Sequence, residues 1–150
     1  MSLKETLQAD LNTAIKSRNS VVAETIRMVL TAITNEEVAG KEKKELTDAE
    51  IITVLTREAK KRREAAEAFD AGGRVDRAAT ERAEGEVIAG YLPEQLSESE
   101  INNLISETIS AVGASGPSDM GKVMGALKAK VAGKADAALV SSLVKAALNK

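Results

Sequence analysis

The sequence contains no cysteine, histidine or tryptophan, and Phe69 and Tyr91 are its only aromatic residues. Without cysteine, disulfides and thiolate metal sites are excluded, and reduced cytoplasm is the expected location. Without histidine, a serine or threonine nucleophile has no imidazole base, so catalysis would have to use lysines and carboxylates alone. We therefore expect an aliphatic core, no metal site and no cofactor.

Neither sign of charge dominates the chain. Lysine and arginine total 21 against 23 acidic residues, a formal net charge of -2. Dedicated nucleic-acid binders are commonly basic overall, so only a local patch could bind RNA here. No apolar run approaches membrane-spanning length, and residues 1–14 mix charges among their leucines, which is unlike a signal peptide. The sequence thus predicts no membrane partner.

Apolar residues recur every three or four positions nearly throughout, and no segment shows the alternation of a half-buried strand. This pattern predicts an all-α protein. Capping boxes mark three helix starts, at Ser2 with Glu5, Thr47 with Glu50 and Ser97 with Glu100. Further helices are expected from the cap Ser20 to about residue 40, over about 48–71 and 75–89, over 119–130, and after the cap Asp136.

A subdomain boundary is predicted at Pro93, because proline disfavours helical geometry at the preceding Leu92. Long helices form the N-terminal subdomain, residues 1–92, and a compact three-helix subdomain follows over 93–150. In the fourth helix the periodicity is weak, and the expected inward positions are Ala79, Ala83 and Val87.

The stretch "REAKKRREAAEAF", residues 57–69, presents two sets of charges on a helical wheel. Arg57, Lys60, Lys61 and Arg63 lie on or near the face opposite the apolar stripe. They form a secondary basic face, and the glutamates between them favour a solvated surface over a binding site.

Glu58 and Arg62, in contrast, fall inside the apolar stripe of the same helix. Their i,i+4 spacing favours a structural ion pair under a neighbouring helix, joined there by polar groups of the fourth helix. A catalytic carboxylate is the alternative. We favour the structural interpretation, because no histidine, metal ligand set or phosphate loop accompanies Glu58.

The segment "DMGKVMGALKAKVAGKAD", residues 119–136, places glycines and lysines on a helix. Gly121 and Gly125 share one side, bordered by Lys122 and Lys128, away from the inward Leu127. Glycine costs about 1 kcal/mol relative to alanine in a helix interior, so the pair suggests close approach by a neighbour. That neighbour is either another helix or a phosphate backbone. A Walker loop is excluded, because no serine or threonine follows Lys122.

Four segments follow one another along the chain: "IRMVLTAI", "LTREAKKRREAAEAF", "YLPEQLSESEI" and "DMGKVMGALKAKVAGKAD". In this order they resemble the YqeY family, which is similar to the tail domain of GatB, the B subunit of the tRNA-dependent amidotransferases. The resemblance implies a two-part all-helical fold and tRNA recognition. The resemblance spans essentially the whole chain, and the chain contains only the part that is similar to the GatB tail. A glutamine-dependent carbon-nitrogen ligase activity assigned to the family would therefore be inherited from the larger enzyme.

Carried onto this sequence, the resemblance implies an RNA-facing set in the last of these segments. Its members are Gly121, Lys122, Gly125, Lys130, Gly133 and Lys134, with Lys128 added where the family often has other residues. The leading hypothesis is a non-catalytic, cytoplasmic module that binds tRNA or enzymes that charge or amidate tRNA. A protein interaction adaptor without RNA contact is the second hypothesis, and an autonomous ligase is the third. The sequence leaves the oligomeric state open.

Overall fold

The structure, a computed structural model, describes residues 1–149. Over that range it contains seven α-helices, one 3-10 turn at Pro117–Asp119 and no strand, which confirms the all-α prediction. The helices are α1 (Leu3–Lys16), α2 (Ser20–Val38), α3 (Asp48–Ala71), α4 (Val75–Ala89), α5 (Glu98–Val112), α6 (Met120–Val131) and α7 (Ala137–Leu148).

Local capping chemistry fixes most of these helix starts. At α1, Ser2 Oγ accepts from the Glu5 backbone N–H at 3.2 Å while the Glu5 carboxylate accepts from the Ser2 N–H at 3.3 Å. Such reciprocal bonds satisfy two N–H groups that have no partner within the helix. An equivalent box forms at Thr47, which begins the longest helix, α3.

Two expected caps differ in detail. The cap of α2 is Asn19, whose Oδ1 accepts from the Val22 N–H at 3.3 Å, and Ser20 is already helical. An asparagine side chain accepts this bond as well as serine does. At α5, Ser97 caps the helix, but the Glu100 carboxylate accepts from the Ser97 hydroxyl and not from its backbone N–H.

The chain divides into two compact units, Met1–Leu92 and the segment that begins at Pro93. Each has its own aliphatic core. Fully or nearly buried residues of the first core are Leu7, Ile26, Val29, Ile33, Leu46, Ile51, Val54, Leu55 and Ile88. Those of the second are Ile101, Ile105, Val123, Leu127, Val140, Val144 and Leu148.

The inward face of α4 differs from the predicted one. Ala78 and Ile88 are buried, Ala83 and Val87 are partly buried, and Ala79 is exposed. The face of α4 nearest to α3 includes the partly buried Glu81 and Glu84. Hydrophobic periodicity cannot identify such inward positions, because their residues are charged. None of the described helices is long and apolar enough to cross a membrane.

Candidate nucleic-acid interface

Helix α6 is anchored in the second unit along one side only. Val123 and Leu127 are fully buried, and Met124 and Val131 pack against the same core. The remaining surface of the helix is made of three residue types. Its exposed residues are Gly121, Lys122, Gly125, Ala126, Lys128, Ala129 and Lys130. We call these seven residues the α6 face.

The two glycines of the α6 face are not explained by packing inside the described structure. Beyond their own helical turn, no described heavy atom lies within 4 Å of where a Cβ would be at Gly121 or Gly125. Neither residue has the positive φ that would require glycine. A neighbouring helix of this chain, one of the two expected explanations, therefore does not apply to residues 1–149.

The lysines of the α6 face form no direct ion pair with the residues that the structure describes. None of Lys122, Lys128 and Lys130 has a carboxylate within 4 Å among residues 1–149. The nearby acid, Asp119, is engaged elsewhere, since its Oδ2 accepts from the Ser115 backbone N–H at 2.9 Å. That hydrogen bond lowers the pKa of Asp119, to which Lys122 adds a smaller electrostatic contribution.

Gly133 and Lys134 lie beyond the α6 face, in the turn that leads to α7. Gly133 has φ 71°, a left-handed conformation in which glycine avoids the strain of a side chain. Its carbonyl accepts from Gln95 Nε2 at 2.8 Å, and the Lys134 carbonyl accepts from the Leu96 N–H at 2.8 Å. Gly133 is thus a turn residue, while exposed Lys134 continues the positive charge past the end of the helix.

Three of the four residues of the secondary basic face on α3 lie near acidic partners, while exposed Arg63 has no carboxylate within 4 Å among residues 1–149. Arg57 pairs with Glu36 at 3.3 Å, Lys61 with Glu58 at 3.3 Å, and Lys60 lies 3.9 Å from Glu64. The pairs of Arg57 and Lys60 are exposed on both sides, which is typical of a solvated surface, whereas Lys61 pairs with a buried carboxylate. The contrast with α6 makes the α6 face the better candidate for binding an anion.

Glu58 and Arg62 do not form the predicted ion pair, because each has another partner. Glu58 is 6 % exposed and pairs with Lys61 of its own helix. Arg62 reaches α4, where its Nε lies 3.3 Å from Glu84 Oε2 and 3.8 Å from Glu81 Oε2. A Cβ at Gly85 would make an ordinary contact with the Arg62 Cβ at 3.6 Å, so the approach of Arg62 to α4 does not require glycine there.

The cluster around Arg62 has the features of a structural network. Burial raises the pKa of the Glu84 carboxyl, and the negative charge of Glu81 raises it further, while Arg62 opposes both. Such a shift is common at catalytic sites, but it also occurs in ion-pair networks. Among residues 1–149 no group of acidic side chains is arranged to hold a metal ion. Polar groups of the fourth helix do join the cluster as expected, but sequence reasoning did not identify them as Glu81 and Glu84, because the weak periodicity of α4 did not assign these residues to its inner face.

Comparison with known proteins places the chain in a family. A model of the family described as Yqey-like protein matches residues 4–148, nearly the whole chain. The chain belongs to the YqeY-like family. It is 31 % identical over 132 residues to "Altered inheritance of mitochondria protein 41, mitochondrial" of Pyrenophora tritici-repentis, covering 86 % of this chain and 71 % of that protein. An uncharacterised protein of Schizosaccharomyces pombe is 33 % identical over 97 residues, or 64 % of this chain and 76 % of its own length.

Proposed function

We propose that this YqeY-like chain is a non-catalytic helical module that binds tRNA through the α6 face. The observation that supports the proposal most directly is the surface itself. It joins two glycines with open space beside them to three lysines that have no carboxylate within 4 Å among the described residues. A phosphate backbone can approach such a helix closely and place its charges beside the lysines.

The mode of binding follows from the composition. With one tyrosine and one phenylalanine in the chain, stacking on unpaired bases contributes little. Lysine contacts to phosphates supply charge and little sequence information, so binding depends on the shape of the RNA and weakens with salt. The proposal that the RNA is a tRNA rests on the similarity of the family to the tail domain of GatB.

Ligase activity is outside the proposal, because the resemblance to GatB is confined to its tail. The proposed protein partners are enzymes that charge or amidate tRNA. The proposed location of the chain is the cytoplasm. One relative is named for altered inheritance of mitochondria and is called mitochondrial. A role in organelle inheritance is compatible with an RNA-binding module but is not needed for the proposal.

A protein adaptor is the second candidate function, and the same glycines favour it. Helices that present small residues at i,i+4 spacing allow a partner helix to pack closely, and Gly121 and Gly125 have this spacing. An adaptor would bind a helix of another protein on the α6 face and would retain no specific affinity for RNA.

Replacing the three lysines of the α6 face, Lys122, Lys128 and Lys130, by glutamine tests the proposal. The wild-type chain should retard tRNA in a gel, and its log K should fall linearly with log salt. The triple variant should abolish retardation. A matched control replaces Lys60, Lys61 and Arg63 on α3 by glutamine, removes the same formal charge, and should bind nearly as well as wild type. If the triple lysine variant bound tRNA as tightly as the wild-type chain, the α6 face would not be the RNA-binding site.

A further inference from the structure

The C-terminal unit has a second surface feature, whose described lining shares no residue with the α6 face. A half-open cavity of about 370 Å³ sits between the N-terminal end of α6 and the last two turns of α7. Its described lining residues are Pro117, Met120, Ser141, Lys145, Leu148 and Asn149. The volume falls at the lower end of the roughly 300–1,000 Å³ that small-ligand sites occupy.

The lining separates into an apolar part and a polar part. Pro117, Met120 and Leu148 supply aliphatic surface. Ser141, Lys145 and Asn149 follow one another at i,i+4 spacing, so helical geometry places them along one stripe of α7 and its C-cap. Each of these three side chains can donate a hydrogen bond, and none of the described lining residues is acidic.

This arrangement selects a particular ligand chemistry. Hydrogen bonds to an ionised carboxylate are about twice as strong as neutral ones, and an ammonium donor makes them stronger still. An apolar floor beside such donors favours a molecule that carries an aliphatic group next to an anionic one. A neutral apolar molecule would leave the donors unused, and a bare anion would leave the floor exposed.

We propose that this cavity binds a small aliphatic carboxylate, with Lys145 as the charged contact and the surface around Met120 and Leu148 holding the aliphatic group. Lys145 also stands in the last turn of α7, where a cation stabilises the helix end. That structural role does not depend on a ligand, so binding measurements separate the two roles.

N-acetyl-leucine is the first probe. Its binding to the whole 150-residue chain is monitored by two-dimensional amide NMR. We expect saturable shifts at Met120, Ser141, Lys145 and Leu148. The uncharged N-acetyl-leucinamide should bind at least about tenfold more weakly, because it loses a charge-assisted hydrogen bond. Octanoate then identifies the type of carboxylate that the cavity prefers. If octanoate binds more tightly than N-acetyl-leucine does, the ligand is a fatty acid, and if it binds more weakly, the ligand is an amino acid or the carboxyl end of a peptide.

Lys145→Gln should reduce affinity for N-acetyl-leucine by about tenfold while leaving the helical circular dichroism unchanged. Lys16→Gln removes the same charge from the last turn of α1 in the first unit and serves as the matched control, with affinity unchanged. Absence of saturable shifts with both carboxylates, or equal binding of N-acetyl-leucinamide, would overturn the proposal. Failure of carboxylate binding would leave the proposal of tRNA binding unaffected, because tRNA binding is measured separately by gel retardation.

Discussion

Gly125 gives the sharpest test at the scale of a single residue. It lies inside α6 with a negative φ and open space where a Cβ would be, so alanine fits without strain. Gly125→Ala should raise the free energy of unfolding by roughly 0.5–1 kcal/mol. If the glycine admits a phosphate backbone, the same change should weaken tRNA binding, and Gly125→Leu should weaken it further. Urea unfolding and a salt series of gel retardation measure the two effects.

Gly85 supplies the control for this experiment. It also lies inside a helix, and its added Cβ would make an ordinary contact with the Arg62 Cβ at 3.6 Å. Gly85→Ala should therefore stabilise the chain to a similar extent without any change in tRNA binding. If Gly125→Leu binds tRNA as tightly as wild type, close approach at the glycines is not how the RNA is held.

A buried carboxylate joins three elements in the first unit. Glu37, at the end of α2, is 3 % exposed, and it accepts from Lys4 Nζ of α1 at 2.8 Å and from the Leu46 backbone N–H at 3.2 Å. These two hydrogen bonds lower the pKa of Glu37 from its ordinary value of 4.5. The carboxylate therefore holds the connection between α2 and α3 against the start of the chain.

The sign of the resulting pH effect follows from this lowered pKa. The folded state binds the proton of Glu37 less tightly than the unfolded state, so its contribution is fully present above pH 4.5. That contribution is lost as pH falls through the folded-state pKa. Glu37→Gln should be less stable than wild type at pH 7, with the difference shrinking below pH 4.5. Urea unfolding at several pH values measures it, and a constant difference would show that the charge is not responsible.

At the level of elements, helices with strong local signals could be predicted from the sequence. The ranges of α3 and α4 were predicted correctly because the capping box of Thr47 with Glu50 begins α3 and Gly72 ends it. The connection from α3 to α4 is short, so the start of α4 follows from the end of α3. Gly121 and Gly125 were likewise placed on one side of α6 by the wheel alone. What the wheel could not show is that this side is open, because the packing of α5 and α7 decides which surface of α6 is covered.

The individual partners of Arg62 could not be predicted for a related reason, although polar groups of the fourth helix were expected beside it. Local spacing favours Glu58, an i,i+4 neighbour, but the guanidinium reaches across to Glu84 on α4. The rotation of α4 about its axis determines this choice, and a helix with few apolar residues gives little periodic signal from which to read that rotation. The predicted inward position of Ala79 was wrong for the same reason.

At the scale of the whole molecule, two separate aliphatic cores imply that each unit can fold by itself. The cores belong to Met1–Leu92 and to the segment that begins at Pro93, and no residue is shared between them. Expressed separately, the two fragments should each show helical circular dichroism and a cooperative thermal transition. We expect residues 93–150 to melt at the lower temperature, because a chain of about 60 residues buries a smaller fraction of its surface.

The separate fragments also locate the proposed function within the molecule. Every residue of the α6 face lies after Pro93, so fragment 93–150 should retard tRNA in a gel and fragment 1–92 should not. The salt dependence of binding should match that of the full chain if the same lysine contacts are made. Retardation by fragment 1–92 alone would move the RNA site to the first unit. A folded fragment 93–150 that fails to bind would show that residues before Pro93 contribute to recognition.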